Sequence, residues 1–298
     1  MHTAKKLTRT NSWPLRQLIY ENVLELLNRI FDDIDISYMP LKGSYLICTG
    51  LAQALPARSM VDIDLLVRKK DFQKAINELT LHPQFRKEPP DPWFFEQPFI
   101  FTGGVRPVKL ELHCQLNRNE RFLLPTEQLF KRGSKQTRVR VLPSAEDALT
   151  ILICHSLVHS RIGLPESVRG EIRLISSLPY FSWQNFYSLL QSTGIAPFGL
   201  ALLRKYTTRK DVPIPLPKKY HWADFLFRLM PSRIRHHKLH RLFYRGFIEP
   251  FFMRSPAKLV AGWAVRTLVI HPGKKILSPG HRHTTENHHS TTANFQKR

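Results

Sequence analysis

The chain has 298 residues, which is enough for a sizeable buried core and for two domains. Its 45 lysines and arginines outnumber its 23 acidic residues, and the resulting net charge of +22 favours contact with polyanions without indicating a fold. The composition argues against a transmembrane segment, because no uninterrupted apolar run reaches the roughly 18 residues that a membrane span needs.

The N-terminal region and the cysteines bear on location. Residues 1–13 are expected to form a disordered basic leader, because they contain no apolar run long enough for a signal peptide. The number of cysteines is odd and their spacing is unpaired, and each lies in a largely apolar run. We therefore expect buried, reduced thiols in a cytoplasmic protein. The cysteines are Cys48, Cys114 and Cys154.

The first predicted elements are a helix and a strand. Residues 14–31 place apolar side chains at helical spacing, which predicts a helix. Residues 36–41 are extended and largely apolar, which indicates a strand. Gly43 then permits a sharp turn, and Ser44 suits the start of a second helix that ends before Pro56.

A second strand is predicted at residues 61–67, which are rich in β-branched and aliphatic side chains. Residues two apart on a strand share a face, so Asp62 and Asp64 are expected to point the same way. Adjacent carboxylates repel unless a cation lies between them, and Mg²⁺ is the expected cation because it takes hard oxygen ligands and often binds a substrate phosphate. The preceding turn offers an anion site from backbone N–H groups, with Lys42 and Ser44 nearby.

The next segments are predicted to be a helix, a loop and two strands. Residues 68–81 carry one apolar stripe after Asp71, a plausible N-cap. Residues 85–98 are rich in proline and aromatic side chains, which indicates a loop. Residues 99–101 and 108–112 are expected to pair through a turn that contains two glycines.

The last of these strands supplies a third carboxylate. Its side chains alternate, so Lys109, Glu111 and His113 share one face. If this strand lies beside the strand of Asp62, Glu111 completes a metal site made of three carboxylates. The alternative interpretation is an acid on an edge strand, paired with Lys109.

These motifs, taken in order, resemble the bacterial uncharacterised nucleotidyltransferase family of the DNA polymerase β-like superfamily. The resemblance extends over about residues 15–210. One departure is Cys114, where this family often has tryptophan, and it concerns packing more than metal chemistry. The resemblance implies an α+β fold with a mixed β-sheet flanked by helices, followed by a mainly helical domain. The motifs are Leu41-Lys42-Gly43-Ser44, Arg58, Asp62-Ile63-Asp64-Leu65-Leu66-Val67 and Glu111-Leu112-His113.

The resemblance also implies an enzyme that moves a nucleoside monophosphate from a nucleoside triphosphate, such as ATP, to an unidentified acceptor hydroxyl. Its cofactor would be Mg²⁺, or Mn²⁺ in its place. His113 would orient Glu111 or contact the substrate, or it is simply a strand histidine. Lys42 and Arg58 could instead be exposed surface residues. The implied catalytic and metal-binding residues are Asp62, Asp64 and Glu111, and the implied phosphate-binding residues are Lys42, Gly43, Ser44 and Arg58.

The nucleotidyltransferase domain is predicted to span residues 14–142, and a helical domain is predicted at 143–210. The first domain would end in a strand at 139–142. The second would begin with Ser144 as an N-cap, in a pair with Asp147 that is similar to a capping box. Helical periodicity continues beyond this first helix and is broken at three prolines. They are Pro165, Pro179 and Pro197.

One histidine pair was weighed as a metal site. His155 and His159 are four residues apart, so they share one face of the predicted helix and could bind zinc. The sequence offers no third ligand for them, so packing or substrate contact is the favoured role.

The C-terminal part is strongly basic. The range 211–280 is predicted to be a basic aromatic extension that opens with a proline-rich linker at 211–217, and 281–298 a disordered tail. Residues 218–275 are consistent with a nucleic-acid surface, with a helix on an anionic membrane surface, or with a solvated helical extension that has an aromatic core. The alternative hypothesis is therefore a non-catalytic protein that keeps the nucleotidyltransferase fold and binds nucleic acid or an anionic membrane through this region. The expected location is the cytoplasm, where the protein could be peripheral to a membrane.

Overall fold

A computed structural model describes residues 13–55, 62–90, 96–116, 124–158, 166–206, 217–221 and 223. The main strands are β1 (Tyr38–Leu41), β2 (Asp62–Val67), β3 (Phe85–Lys87), β4 (Glu96–Phe101) and β5 (Val108–His113). They form one sheet in the order β1-β2-β5-β4-β3. The pair β2–β5 is parallel and the other neighbouring pairs are antiparallel, so the sheet is mixed as predicted.

Helices flank this sheet and then continue without large strands. A small second sheet pairs β6 (Ser134–Lys135) with β7 (Val141–Leu142). The predicted α+β class is therefore confirmed. The α-helices of the described residues are α1 (Trp13–Asp33), α2 (Lys42–Cys48), α3 (Phe72–Leu81), α4 (Thr126–Arg132), α5 (Ala145–Val158), α6 (Glu166–Ser176), α7 (Trp183–Ser192) and α8 (Ala196–Tyr206).

The two faces of the main sheet differ in chemistry. One face is mainly apolar, and its central residues are completely buried and lie side by side in the strand register. Burying each such side chain contributes about 1.5–3 kcal/mol. The opposite face carries the polar residues of the same strands, so the alternation that builds the core also collects the polar groups. The central apolar residues are Ile63, Leu65, Phe99, Leu110 and Leu112.

The loop predicted at residues 85–98 is partly wrong, because the segment contains β3 and the start of β4. Proline lacks the N–H that a strand ladder needs, which favoured a loop in the sequence. The Pro98 carbonyl accepts the Glu88 backbone N–H at 3.0 Å, just beyond the end of β3. In an antiparallel strand, the N–H and C=O of one residue point to the same side. The N–H that Pro98 lacks would therefore point toward the β3 side, beyond the last pair of the β3–β4 ladder, so that ladder loses no hydrogen bond.

Other predicted elements agree with the structure to within a few residues. The helix at 14–31 is α1 and the strand at 61–67 is β2. Only the last two residues of the strand predicted at 139–142 form β7. The break predicted at Pro197 agrees to within a few residues, because α7 ends at Ser192 and this proline lies in the first turn of α8, where it is tolerated.

Several predictions lie outside the described residues: the leader up to residue 12, His159, Pro165, the linker up to residue 216 and almost all of the basic region and tail. The domain boundaries stay predictions. In the part of the chain that the structure covers, no helix is long and apolar enough to span a membrane. Cys114 and Cys154 are buried as expected, whereas Cys48 is partly exposed.

The start of α5 is held by a buried polar group. The Asp147 backbone N–H donates to the Ser144 hydroxyl at 3.1 Å, and this hydroxyl donates to Asp147 Oδ2 at 3.0 Å, which confirms the predicted cap. Asp147 is completely buried, and it also accepts hydrogen bonds from Arg132 Nε at 3.0 Å and Arg132 Nη2 at 2.7 Å. This bidentate pair joins α4 to α5.

We predict that Asp147→Ala lowers the free energy of unfolding by about 3 kcal/mol, because it leaves a guanidinium and a serine hydroxyl without their partner. Urea unfolding followed by circular dichroism measures the change. Glu166→Ala is the matched control, because it removes an exposed carboxylate whose ion pair with Arg169 contributes about 1 kcal/mol or less. Equal losses in the two variants would contradict the prediction.

Candidate active site

The junction between β1 and α2 brings Lys42 beside β2. Leu41 ends β1 opposite Asp64 in the antiparallel pair, and α2 begins at the next residue. Lys42 has a φ of 49°, a left-handed conformation that costs a non-glycine residue about 1–2 kcal/mol. Gly43 lies within the first turn of α2. The expectation that Gly43 takes the special turn conformation is therefore wrong, since Lys42 adopts it.

Ser44 ties α2 to β2. Its buried hydroxyl accepts a hydrogen bond from the Asp64 backbone N–H at 3.1 Å. The N-cap of α2 is Leu41, which makes no side-chain capping bond, so Ser44 is the third helical residue and not the cap. Its hydroxyl fixes the backbone of Asp64 against the helix.

Asp64 and Glu111 lie opposite each other across the parallel pair β2–β5. Directly paired residues of neighbouring strands point to the same face, so both carboxylates lie on the polar face of the sheet. One oxygen of each, together with a ring nitrogen of His113, lies within 4.8 Å of the others. The structure thus brings together two of the three predicted carboxylates and adds a histidine.

Asp62 lies beside this group. It opens β2 two residues before Asp64, is partly exposed, and falls outside the closely spaced set found among the described residues. Burial, reinforced by the charges of Asp64 and Glu111, raises the pKa of Asp62 to about 6. The charged form of Asp62 is therefore disfavoured at this face in the metal-free chain.

Lys42 and Asp64 form a buried ion pair. Lys42 Nζ lies 2.7 Å from Asp64 Oδ1, and the two side chains are 16% and 3% exposed. Burial opposes the charge on Asp64, but Lys42 and the hydrogen bond with His113 hold its pKa well below the usual range. Burial also opposes the charge on Lys42, and Asp64 more than compensates by raising the pKa of the amine. Both groups are charged at neutral pH.

Glu111 makes two different contacts. One oxygen forms an ion pair with the half-exposed Lys109, and the other lies 3.8 Å from His113 Nε2. The pairing with Lys109 was the alternative interpretation of Glu111, but β5 lies between β2 and β4 and is not an edge strand. The ion pair therefore leaves one Glu111 oxygen directed toward Asp64 and His113.

Glu96 is a site residue that the sequence analysis did not identify. It lies opposite His113 in the β4–β5 pair, and its Oε2 is 3.4 Å from His113 Nδ1. Burial raises the pKa of Glu96. The alternation of Glu96, Pro98 and Ile100 could have placed this carboxylate on the polar face, had the segment been predicted as a strand.

The polar face suits a divalent cation. Its four carboxylates outnumber its two ammonium groups, and a divalent ion would balance the difference. The donors are carboxylate oxygens and one imidazole nitrogen, which are common metal ligands. Arg58, the remaining predicted phosphate ligand, lies outside the described residues. The carboxylates are Asp62, Asp64, Glu96 and Glu111, and the ammonium groups are Lys42 and Lys109.

Comparison with known proteins gives a family match. Residues 5–168, more than half of the chain, match the model of a family described as uncharacterised nucleotidyltransferase. The match includes every predicted site residue, from Lys42 to His113. No curated protein matches the sequence.

Two solved structures show a distant likeness. The first is ANT(2")-Ia in complex with adenylyl-2"-tobramycin, which is 11% identical, covers 57% of this chain and 94% of its own, and has a TM-score of 0.38. The second is an H. pylori protein assigned as a nucleotidyltransferase, also 11% identical, with 72% of this chain and 94% of its own covered at a TM-score of 0.38. At this similarity, neither structure supports an argument about substrate.

We predict that Asp62→Asn stabilises the metal-free protein by about 1–2 kcal/mol at pH 8. The pKa of Asp62 is about 6 in the folded chain, against about 4 when unfolded, so its cost to folding grows from pH 4 to pH 6 and is constant above. Below pH 4 both states are protonated and the gain disappears.

Urea unfolding in EDTA at pH 4, 5, 6 and 8 measures this pH dependence. Asp33→Asn is the matched control, because it makes the same change on an exposed side chain at the end of α1. A gain that does not grow between pH 4 and pH 8 would contradict the raised pKa of Asp62.

Proposed function

Because the chain belongs to the uncharacterised nucleotidyltransferase family, we propose that it transfers a nucleoside monophosphate from a nucleoside triphosphate to an acceptor hydroxyl at the polar face of the sheet. Membership of this family makes the protein a nucleotidyltransferase, with a nucleotide substrate and an acceptor. The choice of ion, the role of each residue and the nature of the acceptor belong to the proposal.

The observation that carries the proposal is the register of β2 and β5. This register places Asp64 opposite Glu111. The end of β1 brings Lys42 into contact with Oδ1 of Asp64. Carboxylates that converge beside a cation can hold a metal ion next to a phosphate. The alternative, a non-catalytic protein that binds through residues 218–275, gains no support from the described part of the chain.

The metal-binding residues of the proposal are Asp62, Asp64 and Glu111. The expected ion is Mg²⁺, with Mn²⁺ as a substitute. When bound, the ion neutralises phosphate charge and polarises the phosphorus that is attacked. Asp64 is held for this role by two neighbours, because Ser44 fixes its backbone and Lys42 keeps its side chain ionised.

The triphosphate is expected to bind at the turn formed by residues 42–44. Lys42 supplies a positive charge there, and its ammonium group contacts Asp64 beside the turn. Ser44 contributes by holding the backbone of Asp64, because its buried hydroxyl accepts a hydrogen bond from the Asp64 N–H. Arg58 remains a proposed second phosphate ligand through bidentate hydrogen bonds.

In the chemical step, the acceptor hydroxyl oxygen forms a bond to the α-phosphorus. The bond from that phosphorus to the oxygen that bridges the α- and β-phosphates breaks, and pyrophosphate leaves with that oxygen. Glu111 takes the proton of the attacking hydroxyl as general base. Lys109 forms an ion pair with Glu111, which holds this carboxylate in place.

The acceptor is best sought by a direct screen. Purified protein is incubated with labelled nucleoside triphosphates, Mg²⁺ or Mn²⁺, and candidate acceptors that carry hydroxyl groups. The candidates are small molecules such as antibiotics and sugars, peptides, protein side chains and RNA ends. Transfer of the label identifies both the nucleotide and the acceptor class.

We predict that Asp64→Asn lowers pyrophosphate release by at least about 100-fold, because it removes a carboxylate that would hold the ion beside the reacting phosphate. It should also weaken nucleotide binding that depends on the divalent ion, which equilibrium dialysis measures without any acceptor. Asp33→Asn serves as the control for a surface carboxylate. Metal-dependent nucleotide binding that is equal in Asp64→Asn and the wild type would overturn the proposal.

A second prediction concerns Lys42. Lys42→Met keeps the length of the side chain but removes its charge, so we expect the Kd for the triphosphate to rise about tenfold, as the loss of one charged contact predicts. Titration with a fluorescent triphosphate analogue measures this. Lys70→Met, on the exposed turn before α3, is the control. An unchanged Kd in Lys42→Met would remove Lys42 from the phosphate site.

A further inference from the structure

We infer that His113 is a metal ligand oriented by Glu96, so that the polar face offers a mixed nitrogen–oxygen site on one side of Asp64. This inference concerns the site of the proposed function and rests on it only in placing a divalent ion there. The ligands of this site are Asp64, Glu111 and His113, and the site takes a first-row transition metal ion in preference to Mg²⁺.

The first argument is that both ring nitrogens of His113 face carboxylates. Nδ1 lies 3.4 Å from Glu96 Oε2, and Nε2 lies 3.1 Å from Asp64 Oδ1. A neutral imidazole carries one N–H, so it can donate to only one of these oxygens. The other nitrogen then turns a lone pair toward a carboxylate, which is favourable only with a second proton or with a cation between them.

Glu96 supports Nε2 as the nitrogen that binds the ion. Its carboxylate lies opposite His113 in the strand register and 3.4 Å from Nδ1, whereas Nε2 is hydrogen-bonded to Asp64 Oδ1 in the metal-free chain. With an ion at Nε2, the ring proton would lie on Nδ1, where it faces Glu96. A carboxylate behind a ligating histidine fixes the tautomer and the orientation of the ring and strengthens it as a ligand. Glu96 is thus a positioning residue of the site.

The spacing of the three donors suits a single ion. His113 Nε2 lies 3.1 Å from Asp64 Oδ1 and 3.8 Å from Glu111 Oε2. Ligands bound at about 2.1 Å lie about 3 Å apart when adjacent and about 4 Å apart when opposite, and both observed distances fall within this range.

Positive charge already gathers at this point. Asp64 Oδ1 is contacted by Lys42 Nζ at 2.7 Å as well as by His113. The lysine ammonium stands in for part of the charge of a cation in the metal-free chain.

The two sides of Asp64 therefore differ in their donors. Toward Asp62 the available protein donors are oxygens, which Mg²⁺ prefers. Toward Glu111 one donor is an imidazole nitrogen, which favours transition metals over Mg²⁺. The proposed function then draws on two metal positions of different selectivity.

The test uses the full chain, freed of metal with EDTA and carrying no histidine tag, with Mn²⁺ alone as the probe. Pulsed electron paramagnetic resonance detects histidine nitrogen bound to Mn²⁺, and titration gives the Kd values of Mn²⁺ and Mg²⁺. Since the chain has 14 histidines, the nitrogen signal is assigned by substitution. His113→Asn is suited to this, because its amide reaches Glu96 in place of Nδ1 but offers nothing in place of Nε2.

We expect a nitrogen signal in the wild type and in the control His82→Asn, and none in His113→Asn. The Kd for Mn²⁺ should rise at least tenfold in His113→Asn and about tenfold in Glu96→Gln, whereas the Kd for Mg²⁺ changes little. Glu96→Gln keeps the test decisive if His113→Asn does not fold, which circular dichroism checks.

Mn²⁺ bound without a nitrogen signal, or a signal that survives in folded His113→Asn, overturns the inference. If such a protein still releases pyrophosphate from a triphosphate, the proposed function stands and this inference alone fails. If the nitrogen signal is present but no triphosphate is cleaved with any acceptor, the proposed function alone fails. Absence of Mn²⁺ binding contradicts both.

Discussion

The parallel pairing of β2 with β5 is the contact on which the rest of the site depends. It sets Asp64 directly against Glu111, and the same register places Ile63 and Leu65 beside Leu110 and Leu112 on the buried face. A slip of one residue would exchange the two faces, burying the carboxylates and exposing the leucines. The apolar core therefore specifies the position of the acidic groups, and folding and site geometry share one cause.

The concentration of charge that results is costly in the metal-free chain. Asp64 is almost inaccessible to water, and it stays ionised because Lys42 and His113 contact it. Lys42 reaches it only by adopting a left-handed backbone conformation, which the ion pair and the attachment of α2 through Ser44 offset. Strain and unbalanced charge at one point are typical of a site arranged for a ligand.

Simple alternation predicted much of this arrangement. Successive side chains of a strand point to opposite faces, so the spacing of Asp62 with Asp64 and of Lys109 with Glu111 was informative without a structure. The pairing of β2 with β5 remained a condition of the prediction, because alternation does not tell which strands are neighbours. The helical start at Ser144 followed from capping chemistry, which is local in sequence.

What the sequence did not reveal depended on tertiary context. Glu96 was missed because Pro98 suggested a loop, and only the end of β3 explains why a proline fits that strand. The left-handed conformation of Lys42 was assigned to Gly43, because glycine adopts it at lower cost in an isolated chain. His113 lies between two carboxylates because β5 pairs with β2 on one side and with β4 on the other. Residue spacing within one segment does not reveal such pairings.

The most direct measurement is a crystal structure of the full chain with Mn²⁺ and a non-hydrolysable nucleoside triphosphate analogue, with anomalous diffraction to locate the ion. The account predicts anomalous density within bonding distance of Asp64 and Glu111, and a triphosphate that contacts Lys42. A nucleotide bound elsewhere, with no ion between Asp64 and Glu111, would contradict the account.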